Sequence, residues 1–313
     1  MKQALLLALF SLTLWANAHL FVYHRFGDDR HASTNTSLNT LKKQFDYFKN
    51  NDYKVISLET LDKALKSHQS IPDNWIVLCI DDSYKSFYEN GLPIFKEYNY
   101  PFALFVYIGA TDKGYGDFMS WDQIRESSQY GEIGLHSYGH KHMVSLSTEA
   151  IRNDTNKAMT SFKKHLGYVP KYYAYPYGEF DEKVKKEISS YGFDLILNQN
   201  VGAVSELSPS DDLDRIALTG DVNLKHKLRI KYLNASWHSP KSYPTNGNIN
   251  DIHVTMSPSI KKAELYISGG GWEYITIKDG EFKSDKLYPL KLDRTRVIIK
   301  AGNAYTSKII VKK

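Results

Sequence analysis

Between positions 20 and 218 the chain repeats one pattern, a short apolar run followed by a stretch with apolar residues on one helical face. The runs at 20–23, 53–57, 75–80, 102–108, 131–135, 194–197 and 215–218, with a strand of aromatics entered at Tyr172, predict strands. Leu41, Phe45 and Phe48 share a helical face between them, as do Leu58, Leu61 and Leu65 behind a Ser57 cap. A helix over 87–98 is bent or broken at Gly91-Leu92-Pro93, and another covers 121–128. The longest starts at Ser147, carries Ile151, Thr155, Ala158, Phe162 and Leu166 on one face, and ends at Gly167. Val184 and Ile188 sit on one more, ended by Gly192. Alternating strands and helices predict an α/β fold with a parallel sheet under covering helices. Polar residues gathered at successive strand ends fit a (β/α) barrel better than an open sheet.

The pattern changes after Leu218. Leu228, Ile230 and Tyr232 alternate with polar neighbours, as do Ile252, Val254 and Met256, and then Ala263, Leu265 and Ile267. Asp279-Gly280 signals a hairpin turn. The expected organisation is a leader at 1–18, a barrel at 19–219, a polar linker at 220–227 and a small all-β sandwich at 228–313. In the leader Lys2 precedes an apolar core at 4–15 and an Ala16-Asn17-Ala18 cleavage site, which leaves His19 first. That core is too short to span a bilayer comfortably. No second run of that length follows, so no integral membrane segment is expected after cleavage, and the expected location is periplasmic or secreted.

Bulk properties add little. The formal net charge of +5 comes from interspersed lysines and acids without a basic run, which gives no case for nucleic acid. The single cysteine, Cys79, rules out an intramolecular disulfide and reads as a buried small hydrophobe. The 23 tyrosines and 5 tryptophans suit stacking on sugar faces, and they equally suit a β-rich core. Trp237, Trp272 and Tyr274 carry the same two readings in the sandwich.

Three stretches carry candidate chemistry. The apolar run at 75–80 ends in Asp81 and Asp82, adjacent carboxylates that either converge on one cleft or serve as a helix cap and a solvated acid. His136 and His140, after the 131–135 run, are four apart, which on a helical turn puts both rings on one face. One carboxylate and two imidazoles at strand ends make a common ligand set for a divalent transition metal, although a histidine pair alone is as readily structural. His142 is expected to point elsewhere. The third stretch, YYAYPYG at 172–178, turns sharply at Pro176-Tyr177-Gly178.

In this order, CIDDS, HSYGH and AYPYG resemble the motifs of the polysaccharide deacetylases, carbohydrate esterases of family 4 that share the nodulation-type deacetylase homology domain. Ser83 stands where that family has glycine, and Ala174 where it has arginine. Tyr23-His24-Arg25 resembles the opening of the branch acting on exopolysaccharide poly-N-acetylglucosamine, in which the motif order is permuted. The resemblance implies an irregular barrel of about seven strands. It also implies a metal-dependent N-deacetylase acting on an acetylated glycan polymer, an exopolysaccharide or peptidoglycan. Asp82, His136 and His140 would hold one divalent ion, with zinc first and cobalt, nickel or iron also accommodated. Asp81 would be the general base and His24 the acid for the leaving nitrogen. The Tyr177 N–H, beside Pro176, would hold the oxyanion, and Arg215 would replace the missing arginine partner of Asp81. Two other readings are a metal-binding barrel that has lost turnover and serves as a carbohydrate-binding protein, and a hydrolase of another small amide or ester.

Overall fold

The computed structural model describes residues 17–313, so most of the expected leader lies outside the described residues. Seven parallel strands run in the order Ile216–Ala217, His19–Tyr23, Trp75–Asp81, Ala103–Val106, Glu132–Leu135, Tyr172–Ala174 and Leu195–Leu197. Lys54–Val55 adds to the start of the Trp75–Asp81 strand. The sheet curls until its ends approach each other. Leu213 bridges Leu197 at one edge, and three residues later Ile216 pairs with Phe21 at the other.

Alternation along each strand divides the side chains between two cores. Leu20, Val22, Val77, Cys79, Phe105, Tyr172, Ala174, Leu195 and Leu197 fill the inside of the curl. The helix Leu58–Lys66 adds Leu58, Leu61 and Leu65 to this core next to the strand starts. Phe21, Tyr23, Ile76, Leu78, Ile80, Leu104, Tyr173 and Ile196 face outward and meet Leu41, Phe45 and Phe48 of the helix Leu38–Asn50 and Phe162 of Thr148–Leu166. Strands buried on both faces are apolar throughout, which is why these segments read as continuous runs.

Caps set the helix limits. Ser37, Ser57, Ser147 and Asp181 accept backbone N–H bonds at helix starts, and Gly167 ends the longest helix in the left-handed region. Three expected strands fall two residues or more short of their apolar runs, and that at 215–218 keeps only Ile216–Ala217. The run at 53–57 pairs only over Lys54–Val55. The run at 102–108 gives way to a short helix, Ile108–Asp112, because the N–H groups of Ile108 and Gly109 bond to the carbonyls of Ser137 and Tyr138.

C-terminal to the parallel sheet, Lys231–Tyr232, Ala304–Val311, Arg294–Ala301, Lys262–Ile267 and Trp272–Thr276 form a five-stranded sheet. It packs on the three-stranded sheet Ala235–Ser239, Ile252–Met256 and Glu281–Ser284 through Leu265, Val297, Ile299, Val254 and Phe282. Its other face joins the outer core of the parallel sheet through Ile298 and Tyr305. The polar segment 220–227 is not bare chain. It contains the turn of helix Leu224–Lys227, and Val222 and Leu224 pack against the outer core.

Candidate functional site

The inner rows of the curl turn polar at the strand ends. Leu20 and Val22 are followed on the same face by His24, Val77 and Cys79 by Asp81, Gly134 by His136, and Leu195 and Leu197 by Gln199. The fold therefore gathers these side chains at one mouth without any sequence neighbourhood between them.

Asp82, His136 and His140 come together there. Asp82 Oδ1 lies 3.3 Å from His136 Nε2 and 2.9 Å from His140 Nε2. His136 Nδ1 is 2.7 Å from the Ala174 carbonyl oxygen. A carbonyl only accepts, so Nδ1 carries the proton and, in the neutral ring, Nε2 presents a lone pair to Asp82. The Asp82 oxygen is buried and has no hydrogen bond of good geometry. Two acceptors facing each other at that distance repel unless a proton or a cation stands between them. This donor set, one carboxylate and two imidazoles, fits a divalent transition metal. Burial works to raise the Asp82 carboxyl, but the two imidazoles outweigh it and hold it well below the usual range. Burial also disfavours the His136 cation, yet Asp81 and Asp82 outweigh this and raise its pKa.

The His136–His140 spacing does not mark a helical turn. The segment is a loop in which Ser137 and His140 both take left-handed φ, at 62° and 46°. Ser137 Oγ accepts the His140 N–H, and the Asp154 carboxylate accepts the N–H groups of Tyr138 and Gly139 at 2.9 and 2.7 Å. Asp82 (φ 73°), Ser83 (57°) and Tyr177 (58°) are left-handed as well, so five of the nine such non-glycine residues among those described lie at this mouth. Each costs roughly 1–2 kcal/mol and persists only where the surroundings over-determine it. Ser83 thus adopts the backbone that a glycine would take more easily. Its Oγ donates to the Asp82 carbonyl, and its own carbonyl accepts the Met119 N–H.

Asp81 points into the curl. Arg215 grips both its oxygens, Nη1 to Oδ1 at 2.7 Å and Nη2 to Oδ2 at 2.8 Å, while Arg215 Nε donates to the Asn198 carbonyl at 2.7 Å. Gln199 adds a longer contact to Oδ2. Burial pushes the Asp81 carboxyl up, but Arg215 and His136 outweigh it and leave it below the ordinary value. His24 lies in the break between His19–Tyr23 and Arg25–Phe26, with its Nδ1 buried and unpartnered. Burial lowers its pKa, which Asp82 and Asp81 offset only in part.

The Pro176-Tyr177-Gly178 turn forms another wall. Gly178 is required there. Its φ is +67°, and a Cβ would fall 2.3 Å from that of Gln199. No local pattern in the chain shows how this turn is held. Buried Glu179 accepts from His142 Nδ1 through Oε2 and from Arg294 Nε through Oε1, each at 2.7 Å. His142 therefore points away from Asp82 and stacks on the Tyr177 ring with centroids 4.2 Å apart. Asp154 and Arg294 also escaped the sequence reading, since only their distant partners reveal them.

A second carboxylate–histidine group, Asp28, His31 and Asp117, is also close-set. Arg25 and Arg30 already bridge both of its carboxylates at 2.7–3.1 Å, so its charge is met without an ion. In the C-terminal sheets Trp272 and Tyr274 are exposed, whereas Trp237 is half-buried and donates to Thr306 Oγ1.

The chain resembles known proteins over part of its length. Residues 68–196 match the family described as polysaccharide deacetylase. The poly-beta-1,6-N-acetyl-D-glucosamine N-deacetylase of Escherichia coli K12 is 24% identical over 241 residues, covering 63% of this chain. The chain spans 35% of that relative's length. Among solved structures, the Streptococcus pyogenes deacetylase PplD superposes with a TM-score of 0.62 at 20% identity, over 67% of this chain and 96% of that one. IcaB from Ammonifex degensii gives 0.59 at 24% identity, over 65% and 92%. These structural likenesses speak for the fold, an α/β curl of parallel strands. The likeness to the polysaccharide deacetylase family is carried by residues 68–196.

Proposed function

We propose that the chain is a metal-dependent N-deacetylase of an N-acetylglucosamine polysaccharide of the poly-N-acetylglucosamine type. The observation that carries the reading is the pair of facing acceptors, Asp82 Oδ1 and His136 Nε2, completed by His140 and set beside the Arg215-bound carboxylate of Asp81. In it Asp82, His136 and His140 hold the ion, with zinc first and cobalt, nickel or iron as alternatives. A bound divalent cation supplies Lewis-acid polarisation and lowers the pKa of its water towards about 7.

The other steps belong to side chains and backbone of this chain. Asp81 takes the proton of the attacking water, and Arg215 keeps it ionised and aimed. The Tyr177 N–H, on a turn fixed by Pro176, bonds to the oxygen that gains charge. His24 gives a proton to the leaving nitrogen, since an amide anion does not leave. Ala174 removes the usual arginine from one strand end, and Arg215 supplies a cation to Asp81 from another, which argues against a barrel that has lost turnover. The same reading divides the chain into a barrel at 19–219, a connection at 220–227 and an accessory β-sandwich at 228–313. It makes the protein an exported one, periplasmic or secreted. No helix among the described residues is long and apolar enough to cross a membrane.

The test is amine release from acetylated glucosamine oligomers, with and without chelator, beside an activated acetyl ester. Chelator-sensitive release from the oligomers is expected. Ester cleavage without any amine release from glycans would replace the proposal with a small-ester hydrolase.

A further inference from the structure

The C-terminal sheet reaches the turn on which the oxyanion donor sits. Arg294, at the start of the Arg294–Ala301 strand, donates through Nη2 to the Tyr177 carbonyl at 2.8 Å and through Nε to Glu179 at 2.7 Å. Alternation puts Arg294, Arg296 and Ile298 on one face, the face that packs on the parallel sheet. Ser307, opposite Ile298, accepts the Val201 N–H on that same face at 2.6 Å. The docked face therefore meets two of the loops that follow the parallel strands, and Arg294 is the residue that touches the Tyr177 backbone.

The peptide carrying the Tyr177 N–H lies between two constraints. On one side Pro176 has its φ set by its ring. On the other, Tyr177 holds a left-handed φ of 58°, and its carbonyl is pinned by Arg294. Glu179 is fully buried and braces Arg294 from below, and its second oxygen holds His142 against the Tyr177 ring. A backbone in this region stays there only while its neighbours hold it.

We propose that Arg294 is a positioning residue of the deacetylase site: from the C-terminal sheet it fixes the Tyr177 turn so that the Tyr177 N–H stays directed at the reacting oxygen. This rests on the deacetylase reading above. Arg294 does not touch substrate. Its effect falls on the transition state, where the oxyanion forms, and not on glycan binding, so it separates kcat from KM.

The experiment compares Arg294→Ala, Arg294→Lys and Lys313→Ala in the full chain. Lys313 pairs with Asp181 at the same interface, 3.0 Å away, without touching the turn, so it reports a general loosening of the docked sheet. Arg294→Ala is expected to lower kcat roughly ten- to a hundredfold, less than outright loss of an oxyanion donor, with KM within about threefold and metal content unchanged. Arg294→Lys, which reaches one of the two acceptors, recovers part of the loss. Lys313→Ala keeps the parent kcat. Hydrogen exchange at the 175–180 amides gives a readout independent of turnover: Arg294→Ala speeds it and Lys313→Ala does not. Parent-like kcat and exchange in Arg294→Ala overturn the proposal, as does an equal loss in Lys313→Ala. A parent protein inactive on every acetylated glycan counts against the deacetylase reading, while the exchange result still decides whether Arg294 holds the turn.

Discussion

Arg215 and Asp81, 134 positions apart in the chain, form a two-pronged ion pair that solvent does not reach on either side. Each partner makes the burial of the other tolerable. Removing one leaves a stranded charge, which costs about 3–5 kcal/mol. Arg215→Met is therefore expected to lower the unfolding free energy by about that much, and Arg215→Lys by less, since it keeps the charge but loses the fork. The double variant Asp81→Asn/Arg215→Met should be more stable than Arg215→Met alone. Additive losses in denaturant titrations would show that the two side chains do not depend on each other.

Adjacent Asp81 and Asp82 face different groups. Arg215 holds Asp81, while Asp82 faces the two imidazoles. Asp81→Asn is expected to keep the bound metal and lose turnover by roughly a hundredfold or more, the range for a general base. Asp82→Asn should lose metal and activity together. Metal analysis of the purified variants checks this, and equal metal loss in both would refute the division of labour.

The βα repeat was legible because strands buried on both faces leave apolar runs, and helix starts leave Ser or Asp caps. Asp81, Asp82 and His136 stood out because each sits at the end of such a run, and His140 because it follows His136 by four positions. What stayed hidden is the long-range part of the site. His136 and His140 have helical spacing, yet Asp154 and Ser137 fold them into a loop. Glu179 and Arg294 meet across 115 positions and two different sheets, and no local pattern records such a pairing. His142, two positions from His140, is drawn aside by Glu179, a carboxylate that looks like any loop acid in the sequence.

Asp214, next to Arg215 in the chain, offers a pH test that reads stability and not turnover. Asn198, Asn200, Asp212 and Arg296 surround it, and burial, with Asp212 adding, pushes its pKa from 3.8 up to about 7. Across that window the folded chain keeps a proton that the unfolded chain has released, so this group's contribution to stability falls as pH rises from about 4 to 7. Asp214→Asn should remove that slope. The variant is expected to match the parent near pH 4 and to exceed it by about 2 kcal/mol near pH 8, allowing for relaxation of the site. Parallel stability curves across this range would show that Asp214 does not titrate there.

His24 enters the mouth on the inner row after Leu20 and Val22, next to the row that ends in Asp81. Its Nδ1 is buried without a partner, and its charge couples to Asp82, Asp81, Arg215 and His136. Burial lowers its pKa, which favours the neutral ring at pH 7, so a proton given to the leaving amine has to be acquired within the same cycle. An amide needs that proton, whereas an activated acetyl ester releases a stable anion without it. His24→Ala is therefore expected to bind metal normally and to lose most turnover on acetylated glucosamine oligomers, by roughly a hundredfold. On the activated ester the same variant should lose less than about tenfold, because only the proton-dependent step is impaired. Equal losses on both substrates would make His24 a residue that shapes the mouth, and unchanged turnover on both would assign the acid to another group.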